Sequence, residues 1–247
     1  MRGLQVSAAI DEAKQTIRRR VWDLLVQESV VERGVYGYIP VFVGAAAAAD
    51  RLTGLPEWRA ARVVKAVPDR AQQPVRERAL QDGKLLYVAA PRLAAELPFY
   101  ALDANNLTAA PAEAASKEHA GRHARKVGVE DMRRVDMVVC GSVAVNRRGA
   151  RLGKGAGYSD IEVALLQEAG LIGPSTVIVT TVHPLQVIDD VMPETEHDFS
   201  VDLIVTPSEV IECEPQRRPS GLYWNHLTAA KIAAIPVLAA RAAAQRG

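Results

Sequence analysis

Apolar positions along this chain follow two periods, one helical and one extended. From Ser7 to about Glu32, Ile10, Ile17, Val21, Leu24 and Leu25 recur at helical spacing, which predicts a first helix capped by Ser7. GVYGYIPVFVGAAAAADRL reads as a loop or short strand running into an alanine-rich helix near Gly44–Leu52. RAARVVKAVPD holds a short strand ended by Pro68, and PVRERALQDG is a helix stopped by Gly83. KLLYVAAPRL, VDMVVCGSVAVN, the start of STVIVTTVHPLQVI, and VDLIVTPSEVIE are continuous apolar runs, which predict buried strands. IEVALLQEAGLIG is a helix, and LTAAKIAAIPVLAARAAAQ is a C-terminal helix that Pro236 breaks or kinks. Residues 97–125 are polar, alanine-rich and weakly periodic, and predict a long surface excursion with some helix. Strands alternating with helices predict an α/β fold: a three-layer, Rossmann-like sandwich with a mostly parallel sheet covered on both faces. No repeat or clear linker divides the sequence, so residues 1–247 are expected to form a single domain.

Composition narrows this picture. The chain has 247 residues, 49% of them apolar, enough to bury a substantial core, and a formal net charge of +1. That balance argues against a general nucleic-acid partner, although 117–134 is locally basic, with Lys117, Arg122, Arg125, Lys126, Arg133 and Arg134. Two cysteines, Cys140 and Cys213, have no metal-binding spacing and suit a reducing compartment. The N-terminus lacks the apolar core of a signal peptide, and no apolar run reaches membrane-spanning length. A soluble, cytoplasmic protein without a membrane partner is expected; oligomeric state is not legible.

Three stretches carry candidate chemistry. GARLGKGAGYSD, residues 149–160, follows a predicted strand and precedes a predicted helix. Its glycines let successive N–H groups converge, and with the helix N-terminus they form an anion nest. Arg151 and Lys154 add charge, and Asp160 at the exit suits a divalent metal bridging phosphates. The loop lacks the Gly-Lys-Ser/Thr ending of a Walker loop and the Rossmann glycine spacing. A structural turn with solvated basic side chains is the competing reading. MPETEHDFSVDLIVTP, residues 192–207, gathers Glu194, Glu196, His197, Asp198 and Asp202 before a strand, suiting Mg2+ or simply a polar loop. Lys14 and Arg18 lie one helical turn apart and share a face, which binds anions or is merely solvated.

KQTIR, RLGKGAGYSD and PETEHDFSVDLIVTP occur in the order and rough separation that resemble the 5-formyltetrahydrofolate cyclo-ligase family, also called methenyltetrahydrofolate synthetases. PDRAQQPVRERALQDGKLL, APRL and RRPSGLYW resemble its divergent methenyltetrahydrofolate synthetase domain-containing branch. The resemblance covers most of the chain. It implies ATP-dependent phosphorylation of the formyl oxygen of 5-formyltetrahydrofolate, then ring closure to 5,10-methenyltetrahydrofolate with ADP and phosphate released. It further implies that Lys14 and Arg18 contact ATP phosphates. Arg151, Leu152, Gly153, Lys154, Gly155, Ala156, Gly157 and Tyr158 would wrap the nucleotide, with Arg151 and Lys154 taking the catalytic charge. Asp69, Lys154 and Tyr158 would face the reduced folate, and Asp160 and Asp198 would ligate Mg2+.

The sequence departs from the family pattern on the substrate side. Ser159 replaces an aromatic, Asp69 shortens a glutamate, Gln72 stands for a threonine, and the basic 117–134 stretch replaces a Glu-Pro element. Two rivals follow: an ATP-binding homologue acting on another small molecule, and a non-enzymatic nucleotide- or RNA-binding module. Elsewhere, His119 and His123 have ligand spacing on a helix but no third ligand nearby, and read as surface. His183 lines the site or packs, His197 orients Asp198, and Asp202 is a helper or structural acid. Trp22, Trp58 and Trp224 read as core or as a stacking surface, and Cys140 as core.

Overall fold

A computed structural model describes residues 2–214 and 217–245. The first helix, α1 (Arg2–Gln27), starts earlier and stops sooner than its apolar spacing predicts. Ser7 falls within it instead of capping it. It ends because Ser29 adopts a left-handed φ of 57°. The Val30 and Ser29 amides then close on the Leu25 and Val26 carbonyls, satisfying the last turn. Helices α2 (Ala45–Thr53) and α3 (Pro56–Ala60) lead to strand β1 (Val63–Ala66). Helix α4 (Gln73–Gln81) ends at Asp82 and Gly83, whose φ is 73°, and strand β2 (Leu85–Ala89) follows.

The expected surface excursion at 97–125 is instead partly sheet. Strand β3 (Phe99–Asp103) runs antiparallel to β2, with Leu102 opposite Leu86 and Phe99 opposite Ala89. Phe99 and Leu102 are fully buried, so two apolar side chains outweigh a polar, alanine-rich average. After the short helices α5 (Pro111–Ala114) and α6 (Ala120–His123), β4 (Arg125–Val127) forms the outer edge. Arg125 and Lys126 are exposed there, and cations on an edge strand discourage further pairing.

VDMVVCGSVAVN, read as one strand, divides. Strand β5 (Met137–Cys140) joins the main sheet, whereas β6 (Ala144–Asn146) belongs to a second sheet with β7 (Arg151–Leu152) and β9 (Val187–Ile188). Gly141 marks the break: a Cβ there would meet Ile39 at 3.0 Å and Gln72 at 3.1 Å. Helix α7 (Tyr158–Glu168) and strand β8 (Val177–Thr181) follow. VDLIVTPSEVIE also divides, into β10 (Leu203–Val205) and antiparallel β11 (Val210–Glu212). The C-terminal helix is broken at Ile235 into α8 (Ala229–Ala234) and α9 (Pro236–Ala244).

The main sheet has the order β11-β10-β8-β5-β1-β2-β3-β4, with a parallel centre from β10 to β2. Alternate strand residues feed two cores, as a sheet covered on both faces requires. Val64, Ala66, Leu86 and Val139 pack with Leu52 of α2 and Val75 and Leu80 of α4. Val63, Tyr87, Val138 and Cys140 pack with Ile161 and Leu165 of α7 and Leu238 of α9. A third cluster seats Val21, Trp22 and Leu25 of α1 on Ala144 and Leu152 of the small sheet. Among the described residues, no helix is long and apolar enough to cross a membrane.

One charged side chain interrupts the inner strands. Lys65 of β1 is 1% exposed and forms an ion pair with Glu162 of α7. Lys65→Met is expected to destabilise the fold by about 3 kcal/mol, because it strands a buried carboxylate. Lys65→Met/Glu162→Leu should recover most of that loss. Urea denaturation measures both; a single variant as stable as wild type would contradict this.

Candidate functional site

The carboxyl ends of β1 and β2 open beside the glycine-rich loop and the first turn of α7, where parallel α/β sheets place ligand sites. The resulting cleft has a volume of about 590 Å³. It brings together Lys14 and Arg18, Asp69, the whole of 151–160, His197 and Asp198. Every residue that the resemblance assigns to nucleotide, folate or Mg2+ therefore lines one cleft.

The loop is not free of regular structure, since Arg151 and Leu152 form β7. Gly155 has φ 93° and lies against Arg18, where an added Cβ would sit 3.4 Å from the guanidinium carbon. Gly157, φ 70°, turns the chain into α7, so the loop ends on a helix N-terminus with its partial positive charge. Arg18 Nε donates to the Gly153 carbonyl at 2.7 Å, tying α1 to the loop. Burial lowers the Arg18 pKa from its ordinary value, while Asp11 and Asp198 oppose that shift. Lys14 and Arg18 are both buried, which removes the reading of a solvated helical face.

Each predicted metal ligand stands beside a cation. Lys14 Nζ donates to Asp198 Oδ2 at 2.5 Å, and the Thr195 amide and hydroxyl donate to the same oxygen at 2.5 and 2.8 Å. Burial alone would push the Asp198 carboxyl up. Lys14 and Thr195 outweigh it and hold the group below its ordinary value. Arg151 Nη1 lies 3.5 Å from Asp160 Oδ1. Among the described residues, no three His, Cys, Asp or Glu side chains are grouped to hold a metal ion. Two carboxylates on one cleft nevertheless fit Mg2+, which takes one or two carboxylates and completes its shell with water and phosphate.

At the other wall, Lys154 Nζ donates to Asp69 Oδ1 at 2.8 Å. Gln72 does not line the cleft: it is fully buried and donates to the Thr181 carbonyl and hydroxyl at 3.3 Å. Tyr158 is half-buried, with Lys231 Nζ 3.6 Å from its ring centroid. His197 meets the Thr195 hydroxyl at 3.0 Å, so it shares with Asp198 a common partner. Asp202 is structural: it accepts from the Ile178 amide and from Arg218, both at 2.6 Å. His183 accepts from the Leu185 amide at 3.2 Å and packs edge-on against Phe42. His123 meets Glu113 at 3.1 Å, and none of the three tryptophans lines the cleft.

Sequence reasoning missed several lining residues. Tyr36 and Tyr38 are 49% and 65% exposed at the cleft; Trp22 donates to the Tyr38 carbonyl at 3.1 Å and packs edge-on against the Tyr36 ring at 5.9 Å. The only signal was two tyrosines flanking a glycine in GVYGYIP. Arg92 also lines the cleft, in a left-handed conformation with φ 58°. Glu162 could not be anticipated, because its role depends on Lys65 nearly a hundred residues earlier.

A family model described as the 5-formyltetrahydrofolate cyclo-ligase family matches residues 10–207. The methenyltetrahydrofolate synthase domain-containing protein of Mus musculus is 36% identical over 239 residues, covering 92% of this chain and 62% of that protein. The Homo sapiens protein of the same name is 33% identical over 243 residues, covering 93% and 61%. The chain thus spans about three-fifths of the length of these relatives. The solution NMR structure of Aquifex aeolicus 5,10-methenyltetrahydrofolate synthetase has the same fold, with a TM-score of 0.51 at 20% identity over 86% of this chain and 99% of that one.

The Lys14–Asp198 contact has a pH consequence. A carboxyl held below its unfolded value contributes stability above about pH 4, and that contribution is lost as pH falls through the folded value. Lys14→Met removes the leading cause of that lowering and leaves burial opposed by Thr195 alone, so Asp198 is expected to titrate at higher pH in that variant than in wild type. A carboxyl-carbon NMR titration reads both; equal midpoints would contradict the assignment.

Proposed function

The chain belongs to the 5-formyltetrahydrofolate cyclo-ligase family, and on that premise we propose that it cyclises 5-formyltetrahydrofolate to 5,10-methenyltetrahydrofolate with ATP and Mg2+. The observation that carries this reading is the convergence of three segments far apart in sequence on one cleft: Lys14 with Arg18, the loop 151–160, and His197 with Asp198. ATP would supply the phosphoryl group that turns the formyl oxygen into a leaving phosphate as a neighbouring folate nitrogen attacks the formyl carbon, giving the methenyl product, ADP and phosphate.

The residues divide that work by chemistry. Lys14 and Arg18 orient phosphates from α1, and the loop amides with the α7 N-terminus present preorganised donors to them. Lys154, a third exposed on its side chain, is more exposed than Lys14 or Arg151 and meets charge that develops during transfer. Arg151, at 3% side-chain exposure, supports the loop from beneath and holds Asp160. Asp160 and Asp198 would hold Mg2+, whose contribution is to neutralise phosphate charge. Asp69 orients the reduced folate, and Tyr36 and Tyr38 offer it aromatic surface where Ser159 offers none. The free thiols of Cys140 and Cys213 are in keeping with a reducing, cytoplasmic setting.

Mixing the protein with 5-formyltetrahydrofolate, ATP and Mg2+ should produce the absorbance band of the methenyl product. Asp160→Asn should abolish it, and Lys154→Ala should slow it by about 10²-fold, as removal of one preorganised charge-stabilising group does. A protein that binds ATP yet never forms the band would assign the site to another formyl or carboxylate substrate.

A further inference from the structure

Residues 217–245 lie beyond the stretch the family model matches, yet they close on both ligand-bearing loops. Two contacts anchor this segment to the end of α7. The Leu222 amide donates to Glu168 Oε1 at 2.8 Å, and Arg241 donates to Glu168 Oε2 at 2.6 Å. Ile235 and Leu238 are fully buried beneath it. Between these anchors, Lys231 Nζ donates to the Ala156 carbonyl at 2.7 Å while standing over the Tyr158 ring. His226 Nδ1 lies 3.0 Å from His197 Nδ1, next to Asp198. One side chain of the segment thus holds the glycine loop, and another holds the acidic loop.

The segment and α7 enclose a second chamber of about 330 Å³, which opens on Gly155–Gly157 and Asp160 of the main cleft. Its walls are Ile161 and Ala164 of α7, Leu222, Leu227, and Tyr223 stacked on His226 at 5.6 Å and 19°. The two chambers differ in chemistry. The main cleft is lined by Lys14, Arg18, Arg151 and Lys154, and suits phosphates. The second has apolar and aromatic walls with few charges, the lining that takes a planar heteroaromatic ring. A ligand with an anionic chain at one end and such a ring at the other would span both through the shared glycines.

We propose that this chamber is the base subsite of the nucleotide, built by the C-terminal segment, and that Lys231 is a positioning residue that sets the glycine loop against it. The proposal rests on the nucleotide reading given above. It is tested by calorimetric titration of the full chain with Mg2+–ATP and, separately, with inorganic tripolyphosphate. Leu227→Trp fills the chamber and should weaken ATP about tenfold while leaving tripolyphosphate unchanged, in line with what stacking of one base contributes. Tyr223→Ala, which removes side-chain atoms instead of adding them, should act in the same direction. Unchanged ATP affinity in both variants overturns the proposal, as does an equal loss for both probes, which would make the segment a loop support only. Weakened 5-formyltetrahydrofolate binding with intact ATP binding would assign the chamber to the folate ring and also overturn it. A wild-type protein that binds tripolyphosphate as tightly as ATP refutes the base subsite alone, whereas one that binds neither refutes the nucleotide reading itself.

Discussion

A buried guanidinium, that of Arg151, fixes how the two sheets, α7 and the acidic loop meet. Its Nη2 donates to the Gly141 carbonyl at 3.2 Å, where the chain leaves β5 for the small sheet. Its Nη1 faces Asp160 in the first turn of α7, and its plane lies over Phe199, 4.4 Å from the ring centroid. Burying such a charge is costly unless it is paired and hydrogen-bonded. Here the compensation comes from three separate segments, so their relative placement follows from the need to satisfy one side chain. Arg151 Nε, Gln72 Oε1 and Arg76 Nη2 nevertheless have no partner among the described residues. They lie beneath the carboxyl ends of the strands, where fixed charge and dipoles act most strongly on a ligand. A lysine could not serve at position 151, because it lacks both the planar fork and the flat face.

The other cations of the site are similarly held. Arg76 is fully buried and donates to the Val67 and Asp69 carbonyls at 2.6 and 2.8 Å, which shapes the turn that presents Asp69. Burial lowers its pKa to about 10, so it stays charged at neutral pH. Lys65 links the strand under that turn to α7 through Glu162. Positive charge is thus built into the frame, and Lys154 is the more exposed member that faces the cleft. This division is what positioning chemistry requires, since preorganised charge need not reorganise when a reaction occurs.

Much of this was legible in the sequence, because the motifs are local. The residues 151–160 are contiguous, and Lys14 and Arg18 keep helical spacing, so their chemistry could be read without a fold. The continuous apolar runs gave the parallel centre of the sheet. Illegible features depend on contacts across the chain. Gly141 breaks VDMVVCGSVAVN only because Ile39 and Gln72 crowd it. Phe99 and Leu102 make a strand of a polar stretch only because β2 lies alongside. Tyr36 and Tyr38 become cleft residues through Trp22, which holds the Tyr38 carbonyl and packs edge-on against the Tyr36 ring. The departures on the substrate side also gain a physical reading. Gln72 has left the cleft for Thr181, and Arg125 and Lys126 guard an edge strand.

The most direct test of the account follows an oxygen atom. If the cleft directs a phosphoryl group to the formyl oxygen, that oxygen must depart with phosphate. Turnover of 5-formyltetrahydrofolate labelled with 18O in its formyl group, followed by 31P NMR of the released phosphate, reads this step. The account predicts an isotope-shifted phosphate signal in proportion to methenyl product. Unshifted phosphate, with the label recovered in water, would contradict it.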